Sequence, residues 1–503
     1  MNALNTPPSN IGSRTATGAS ILIASRLITR CIDFVALIVL ARLLSLEDFG
    51  VVAIAMSIVM IVEAIMELSL GLALVAIPVR TSSHYDTVFT LQLLRGLILA
   101  SVLLISSWPL SQIYHDHRLI PLICVLSIAP ASRGLSSPRM MEFSIAFNFW
   151  PTLVVEVIGK LSALALSVSA ALLIGNYWAL AISTIASPIT MLFVSYVYAP
   201  YLPKISLKEW RDFAGYVRWA TIGQTINALV WQMDPLMLGH VVDHFSIGAF
   251  SMASNLVALP TQIFVVQVMQ PLVVAFSSVR EDLQRLTAAY QKSAISIVTL
   301  SLPIVVGMSI CAEPLLRLAF GEKWLASTTI LRWLLIAAIP SLFVSPLSAL
   351  ALSVQKVRFA TRLTIIELLV KFPLMLIGLL SYGIPGVLGA RLITASVMGG
   401  CAMLTVRELI GLRIRDQLLA TWRPVMSTVV MTLLVVLVKT QLGDGQGYNQ
   451  LIFDMATIVG VGVVAYAGSM FFLWDLAGRP DGIECKVASL LGRSVRRITS
   501  VSP

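Results

Sequence analysis

This sequence predicts an all-α polytopic membrane protein of about fourteen transmembrane helices, and three observations carry the prediction. First, 57% of its 503 residues are hydrophobic and only 12% charged, with a mean hydropathy of +0.89. Soluble domains hold about 25% charged residues, and disordered chains need low hydrophobicity, so both classes are excluded. Second, the apolar residues fall in unbroken runs of about twenty, the length that crosses a bilayer as helix. An outer-membrane barrel would alternate polar and apolar residues instead. Third, the cations between the runs are sorted to one side.

The runs lie, in order, near 20–41, 49–74, 88–107, 118–136, 150–173, 178–199, 217–241, 248–274, 291–312, 328–352, 363–381, 387–406, 425–440 and 451–474. The thirteenth is the shortest. Several of these runs carry prolines, Pro130, Pro188, Pro235, Pro260, Pro271, Pro303, Pro340 and Pro373 among them, where transport helices use breaks as hinges. With the N-terminus on the cytoplasmic side, 23 of the 35 Lys and Arg face the cytoplasm, 5 face the other side and 7 lie inside runs. That split obeys the positive-inside rule, so both termini are expected in the cytoplasm. The polar stretch 1–18 lacks the short apolar core of a signal peptide, and the basic tail from Arg493 to Arg497 is expected to touch anionic head groups.

The chain also resembles itself. Leu40-Ala-Arg-Leu-Leu…Phe49-Gly50…Ala55 aligns with Leu238-Gly-His-Val-Val…Ile247-Gly248…Ala253 at an offset of about 198. Trp108-Pro109-Leu110 aligns with Glu313-Pro314-Leu315 at about 205. Each offset spans six runs, an even number, which implies two lobes in the same orientation, as in alternating-access transporters. The expected organisation is residues 1–200 (runs one to six), 201–406 (runs seven to twelve), 407–474 (two added spans) and a basic tail, 475–503.

The segments Leu40-Ala-Arg-Leu-Leu-Ser-Leu-Glu-Asp-Phe-Gly50, Ile247-Gly-Ala-Phe-Ser-Met-Ala253 and Phe320-Gly-Glu-Lys-Trp324 resemble Wzx-type polysaccharide flippases. These form the polysaccharide transport branch of the multidrug/oligosaccharidyl-lipid/polysaccharide (MOP) exporter superfamily. The resemblance covers essentially the whole chain. It implies a protein of the bacterial inner membrane that moves undecaprenyl-diphosphate-linked oligosaccharide units to the periplasmic leaflet for surface polysaccharide, exopolysaccharide or lipopolysaccharide synthesis. It also implies membrane lipids and polysaccharide polymerase or export proteins as partners.

An ionisable group in mid-bilayer costs about 2.5–3.5 kcal/mol on insertion scales, so each one invites a functional reading. The buried cations Arg26, Arg30, Arg95, Lys160, Arg332, Lys371 and Arg391 are the candidate substrate-binding residues. An anionic head group crossing an apolar core needs such partners, and Arg offers phosphate a bidentate fork. Asp33, Glu63, Glu67 and Asp234 are candidates for ion coupling or gating. Arg26 and Arg30, at i,i+4, form a strip on the first run, with Asp33 close to the same face. Arg95 has no acid within four residues, so its partner must lie on another helix or on the substrate. Glu156/Lys160 and Glu367/Lys371 are i,i+4 pairs at equivalent places in the two lobes. They read equally as self-neutralised pairs or as lysines that exchange Glu for phosphate. Glu63 and Glu67 either share a proton at a coupling site or contact an arginine of the first run, the latter being preferred. Asp234-Pro235 joins an acid to a helix kink.

The five cysteines imply no disulfide framework, and His115-Asp116-His117 reads as a solvated loop with too few ligands for a metal. Neither a metal nor any other cofactor is expected, nor a nucleic-acid partner. The competing readings are a cation-coupled multidrug antiporter of the MATE branch and a membrane glycan polymerase or ligase. The first favours acidic cavities, against seven buried cations and six buried acids here. The second needs loop chemistry that the short loops lack, so a transporter and not an enzyme is expected.

Overall fold

The computed structural model describes residues 11–66, 70, 74, 81–146, 148–442 and 447–479. Among them the regular structure is entirely helical, and the described residues of the apolar runs lie mostly on helix. Ten helices are long and apolar enough to cross a membrane by length and composition. Three of the other four runs have visible reasons. The first carries Arg26, Arg30 and Asp33, the fourth is split into two short helices, and the eighth is interrupted.

The chain divides into two compact units, Met1–Ser251 and Met252–Pro503. The first holds α1 (Ile11–Leu43), α2 (Leu46–Ile65), α3 (Ser82–Ile113), α4 (Leu119–Leu126), α5 (Ile128–Gly134), α6 (Met140–Ile145), α7 (Trp150–Leu173), α8 (Trp178–Tyr198), α9 (Trp210–Val241) and the start of α10 (His244–Pro260). The turn into α2 is a capping box. The Ser45 hydroxyl accepts from the Asp48 amide at 3.2 Å, and the Asp48 carboxylate accepts from the Ser45 amide at 3.0 Å. Two of the four amides orphaned at that helix start are thus satisfied. Within this unit α2 packs on α9, α1 on α7, and α7 on α8.

The α2 crossing explains the glycines of the repeat. A Cβ on Gly50 would lie 2.8 Å from the His244 carbonyl carbon and 3.1 Å from its Cα. One on Gly248 would lie 2.7 Å from the Leu46 carbonyl carbon and 3.2 Å from the Gly50 nitrogen. At the offset of about 198, Leu46 is equivalent to His244 and Gly50 to Gly248. Each glycine therefore seats the partner repeat's equivalent carbonyl, a reciprocal contact. Only a missing side chain lets the two backbones come this near.

The second unit continues through a π-helical turn, Thr261–Val266, set between Pro260 and Pro271, into α11 (Gln267–Ser278). Each proline removes an amide donor, which accounts for the broken ladder. Then follow α12 (Leu283–Ile310), α13 (Ala312–Ala319), a 3₁₀ turn (Glu322–Ser327), α14 (Thr328–Phe343), α15 (Leu347–Ser353), α16 (Val357–Tyr382), α17 (Ile384–Ile410), α18 (Ile414–Ala420), α19 (Trp422–Gln441) and α20 (Tyr448–Leu476). Asp282 caps α12, accepting from the Gln284 and Arg285 amides at 3.1 and 3.0 Å. Gly411 ends α17 at a φ of 73°, a left-handed C-cap that suits glycine. The core of this unit gathers Phe276, Leu286, Tyr290, Leu350 and Val406.

Candidate functional site

Most of the described candidate residues of the first unit gather in two separate clusters. One lies between α1 and α7. Ser25 and Asp33 stand eight residues apart on α1, with Thr29 between them, so the three line one face at i,i+4 steps. Against that face the Ser25 hydroxyl donates to Glu156 at 2.8 Å, and the Lys160 ammonium donates to Asp33 at 2.6 Å. Arg30 lies 3.7 Å from the other Asp33 oxygen. Ser25 is buried, whereas Lys160 and Asp33 are about one-third exposed and Arg30 nearly half. Asp33 thus shares its charge between two partly accessible cations.

This geometry corrects the reading of Glu156/Lys160 as a self-neutralised pair. Each member turns instead to α1, because α7 packs against that helix closely enough to offer a cross-helix partner. Arg26 is half-buried on the same stretch of α1. Ser25 is the member that sequence reasoning missed. Its signal was the row Ser25, Thr29, Asp33, polar at i,i+4 within an apolar helix.

The second cluster sits at the end of α2. The Arg133 guanidinium donates to Glu63 at 2.7 Å, and Arg95 lies 3.9 Å from the same carboxylate oxygen. The Arg95 Nε donates to the Met66 carbonyl at 2.7 Å. Arg95 therefore caps the C-terminus of α2, where the helix dipole favours a cation. The expected contact between Glu63 and an arginine of the first run is overturned, since α3 and α5 supply its cations. Glu67 lies outside the described residues, as do Cys485 and the tail beyond residue 479.

In the second unit Arg332 lies 3.6 Å from Glu313. Lys371 is 5% exposed, with Glu367 half-buried one turn earlier on α16, and Arg391 is half-buried on α17. Asp234, back in the first unit, is 1% exposed, beside Pro235 inside α9. Among the described residues no cluster of His, Cys, Asp and Glu is arranged to hold a metal.

Chemically, the α1–α7 cluster offers an anion two cations, Arg30 and Lys160, that already share the Asp33 carboxylate. The α2-end cluster is a structural ion pair built around a helix terminus.

Residues 39–329 match the family described as polysaccharide biosynthesis protein. The chain belongs to that family. It is 21% identical to lipopolysaccharide biosynthesis protein WzxC of Escherichia coli (strain K12), over 82% of this chain and 85% of that protein. It is 20% identical to teichuronic acid biosynthesis protein TuaB of Bacillus subtilis (strain 168), over 56% and 60%. Among solved structures it shares the fold of the lipid II flippase MurJ in an inward closed conformation. The TM-score is 0.74 at 16% identity, over 92% of this chain and all of that one. An inward-facing multidrug resistance MATE transporter of the MOP superfamily gives 0.61 at 15% identity, over 78% and 98%.

Proposed function

We propose that this protein is a flippase that carries an anionic, undecaprenyl-diphosphate-linked oligosaccharide from the cytoplasmic to the periplasmic leaflet of a bacterial inner membrane, with both termini cytoplasmic. It transports and does not catalyse a covalent step, and it hands its cargo to polysaccharide polymerase or export proteins. Two lines of support come from its relatives: the polysaccharide family itself, and a fold shared with a protein named as a lipid II flippase.

The observation that carries the reading is the Arg30–Asp33–Lys160 triad. Two cations share the Asp33 carboxylate between two predominantly apolar helices. A diphosphate arriving there replaces Asp33 as the partner of Lys160 and meets the fork of Arg30, so the cations are never left without a counter-charge. Release restores the Asp33 pair. The arrangement favours a substrate that can be let go, because the resting pair competes with it. Lys371 is the corresponding cation of the second lobe, with Arg26, Arg332 and Arg391 further along the route. Asp234, buried beside a helix kink, is the proposed gating or coupling acid.

The test is deletion of the gene followed by complementation. The null strain should accumulate lipid-linked repeat units with their sugars on the cytoplasmic leaflet. Lys160→Met should fail to clear them, whereas Lys160→Arg should clear them. If surface polysaccharide is unchanged in the null strain and only drug resistance falls, the MATE-like alternative holds instead.

A further inference from the structure

Where the sequence suggested a solvated loop, the segment Ile113–Arg118 is fastened at three points to the end of α9 and the start of α10. The Tyr114 hydroxyl donates to the Leu236 carbonyl at 3.3 Å, and the His240 Nδ1 donates to the Ile113 carbonyl at 3.2 Å. The His244 Nε2 lies 3.1 Å from the Asp116 carboxylate. Asp116 is only 8% exposed and also accepts from the Arg118 amide at 2.9 Å and its Nε at 3.0 Å. On the charge-derived topology all these segments lie at the non-cytoplasmic ends of their helices. They surround the reciprocal glycine crossing, for His244 is the residue whose carbonyl Gly50 seats.

Burial pushes the Asp116 carboxyl up, but the Arg118 hydrogen bonds, then the charges of Arg118 and His244, outweigh it and hold the group below the usual carboxylate range. The carboxylate is therefore ionised throughout the range in which an imidazole changes charge, about pH 5–8. Other charged and titratable groups stand nearby among the described residues. Glu47 of the α2 start and Tyr177 before α8 act on Arg118. Asp243 accepts from the Ser246 amide at 3.3 Å, and His115 and His117 are exposed. The histidine Nδ1 of residue 244 is buried with no hydrogen-bond partner. Its Nε2 contact with Asp116 is thus the bond through which a charge on the ring acts.

We propose that His244 and Asp116 form a proton-sensitive clasp that fastens the first repeat to the second at the non-cytoplasmic end of the molecule. Protonation of His244 turns a hydrogen bond to the ionised Asp116 carboxylate into an ion pair and tightens the contact, and alkaline conditions loosen it. Any state in which α10 parts from the loop between α3 and α4 must break this bond, so external acidity holds that end shut.

Hydrogen-exchange mass spectrometry on the purified full chain in nanodiscs tests this directly. After correction for intrinsic exchange, protection of residues 113–119 should rise about five-fold between pH 8 and pH 6, the scale of one added ion pair that is partly open to solvent. His244→Gln should keep the pH 8 value and show no rise. Asp116→Asn, which retains the shape of the loop, should lose the rise as well. A flat wild-type profile overturns the clasp, and so does a rise that survives in either variant. The inference uses no property of the cargo, so its failure would leave the flippase reading untouched.

Discussion

Gly248→Ala is the sharpest test of the way the two repeats meet. The added methyl would lie 2.7 Å from the Leu46 carbonyl carbon, and closer still to its oxygen. Non-bonded carbons rest about 3.5–4.0 Å apart, so α10 and the start of α2 must separate by roughly 1 Å. Both partners are backbone, and no rotamer change relieves the clash. Overpacking of this kind costs about 1–3 kcal/mol, to be read as lost stability in mixed SDS–detergent unfolding. Gly50→Ala should cost a similar amount, since its methyl meets the equivalent carbonyl of His244. The double variant is the informative one. Once the crossing has opened for one methyl, the second finds space, so the two effects should sum to clearly less than their separate costs. The controls are Gly389→Ala and Gly400→Ala on α17, where a Cβ would meet nothing within 4 Å. Those should be neutral or stabilising, by up to about 1 kcal/mol, from helix propensity. If Gly248→Ala behaves like these controls, or if the two crossing variants are fully additive, the reciprocal contact is refuted.

Ser45→Ala removes the hydroxyl that caps α2 and should cost about 1 kcal/mol, within a range of about 0.5–2, in the same unfolding assay. The Asp116 carboxyl is held below its ordinary range, so its contribution to stability is present above the unfolded value and is lost as pH falls through the lower folded one. An acid titration of unfolding should therefore show a component below about pH 4 that vanishes in Asp116→Asn. Tyr201, between α8 and α9, is hydrogen-bonded through its hydroxyl to Asp86. Burial and then that carboxylate push its phenol above the usual range. Tyr201→Phe should free the 199–209 segment, raising its cleavage in limited proteolysis several-fold.

The helical architecture was legible because bilayer physics leaves few alternatives: an apolar run of about twenty residues has no other way to satisfy its backbone. The repeat was legible for a related reason, since Gly50 and Gly248 are held by a backbone contact that admits no side chain. Pairings between charges were not. Lys160 has Glu156 one turn away and yet bonds to Asp33, 127 residues distant, because helix packing decides which neighbour faces it. Arg95 likewise finds its oxygens at the end of α2, a position that depends on where that helix stops. Sequence spacing within one helix predicts which side chains share a face, but not which helix that face meets.

The same limit explains why the histidine clasp was invisible beside a repeat that was plain. The two aligned segments make the glycine crossing symmetric, so each announces the other. Titratable groups need not follow the symmetry. His244 is equivalent to Leu46, His240 to Arg42, and, at the later offset, Asp116 to Gly321. A symmetric contact between two such repeats has no intrinsic response to protons, because its elements are backbone and glycine. Placing the imidazole on one repeat and the carboxylate on the other gives that contact a response without disturbing its packing. A search for chemistry in this fold should therefore begin where the equivalent residues of the two repeats differ in charge next to a contact they share.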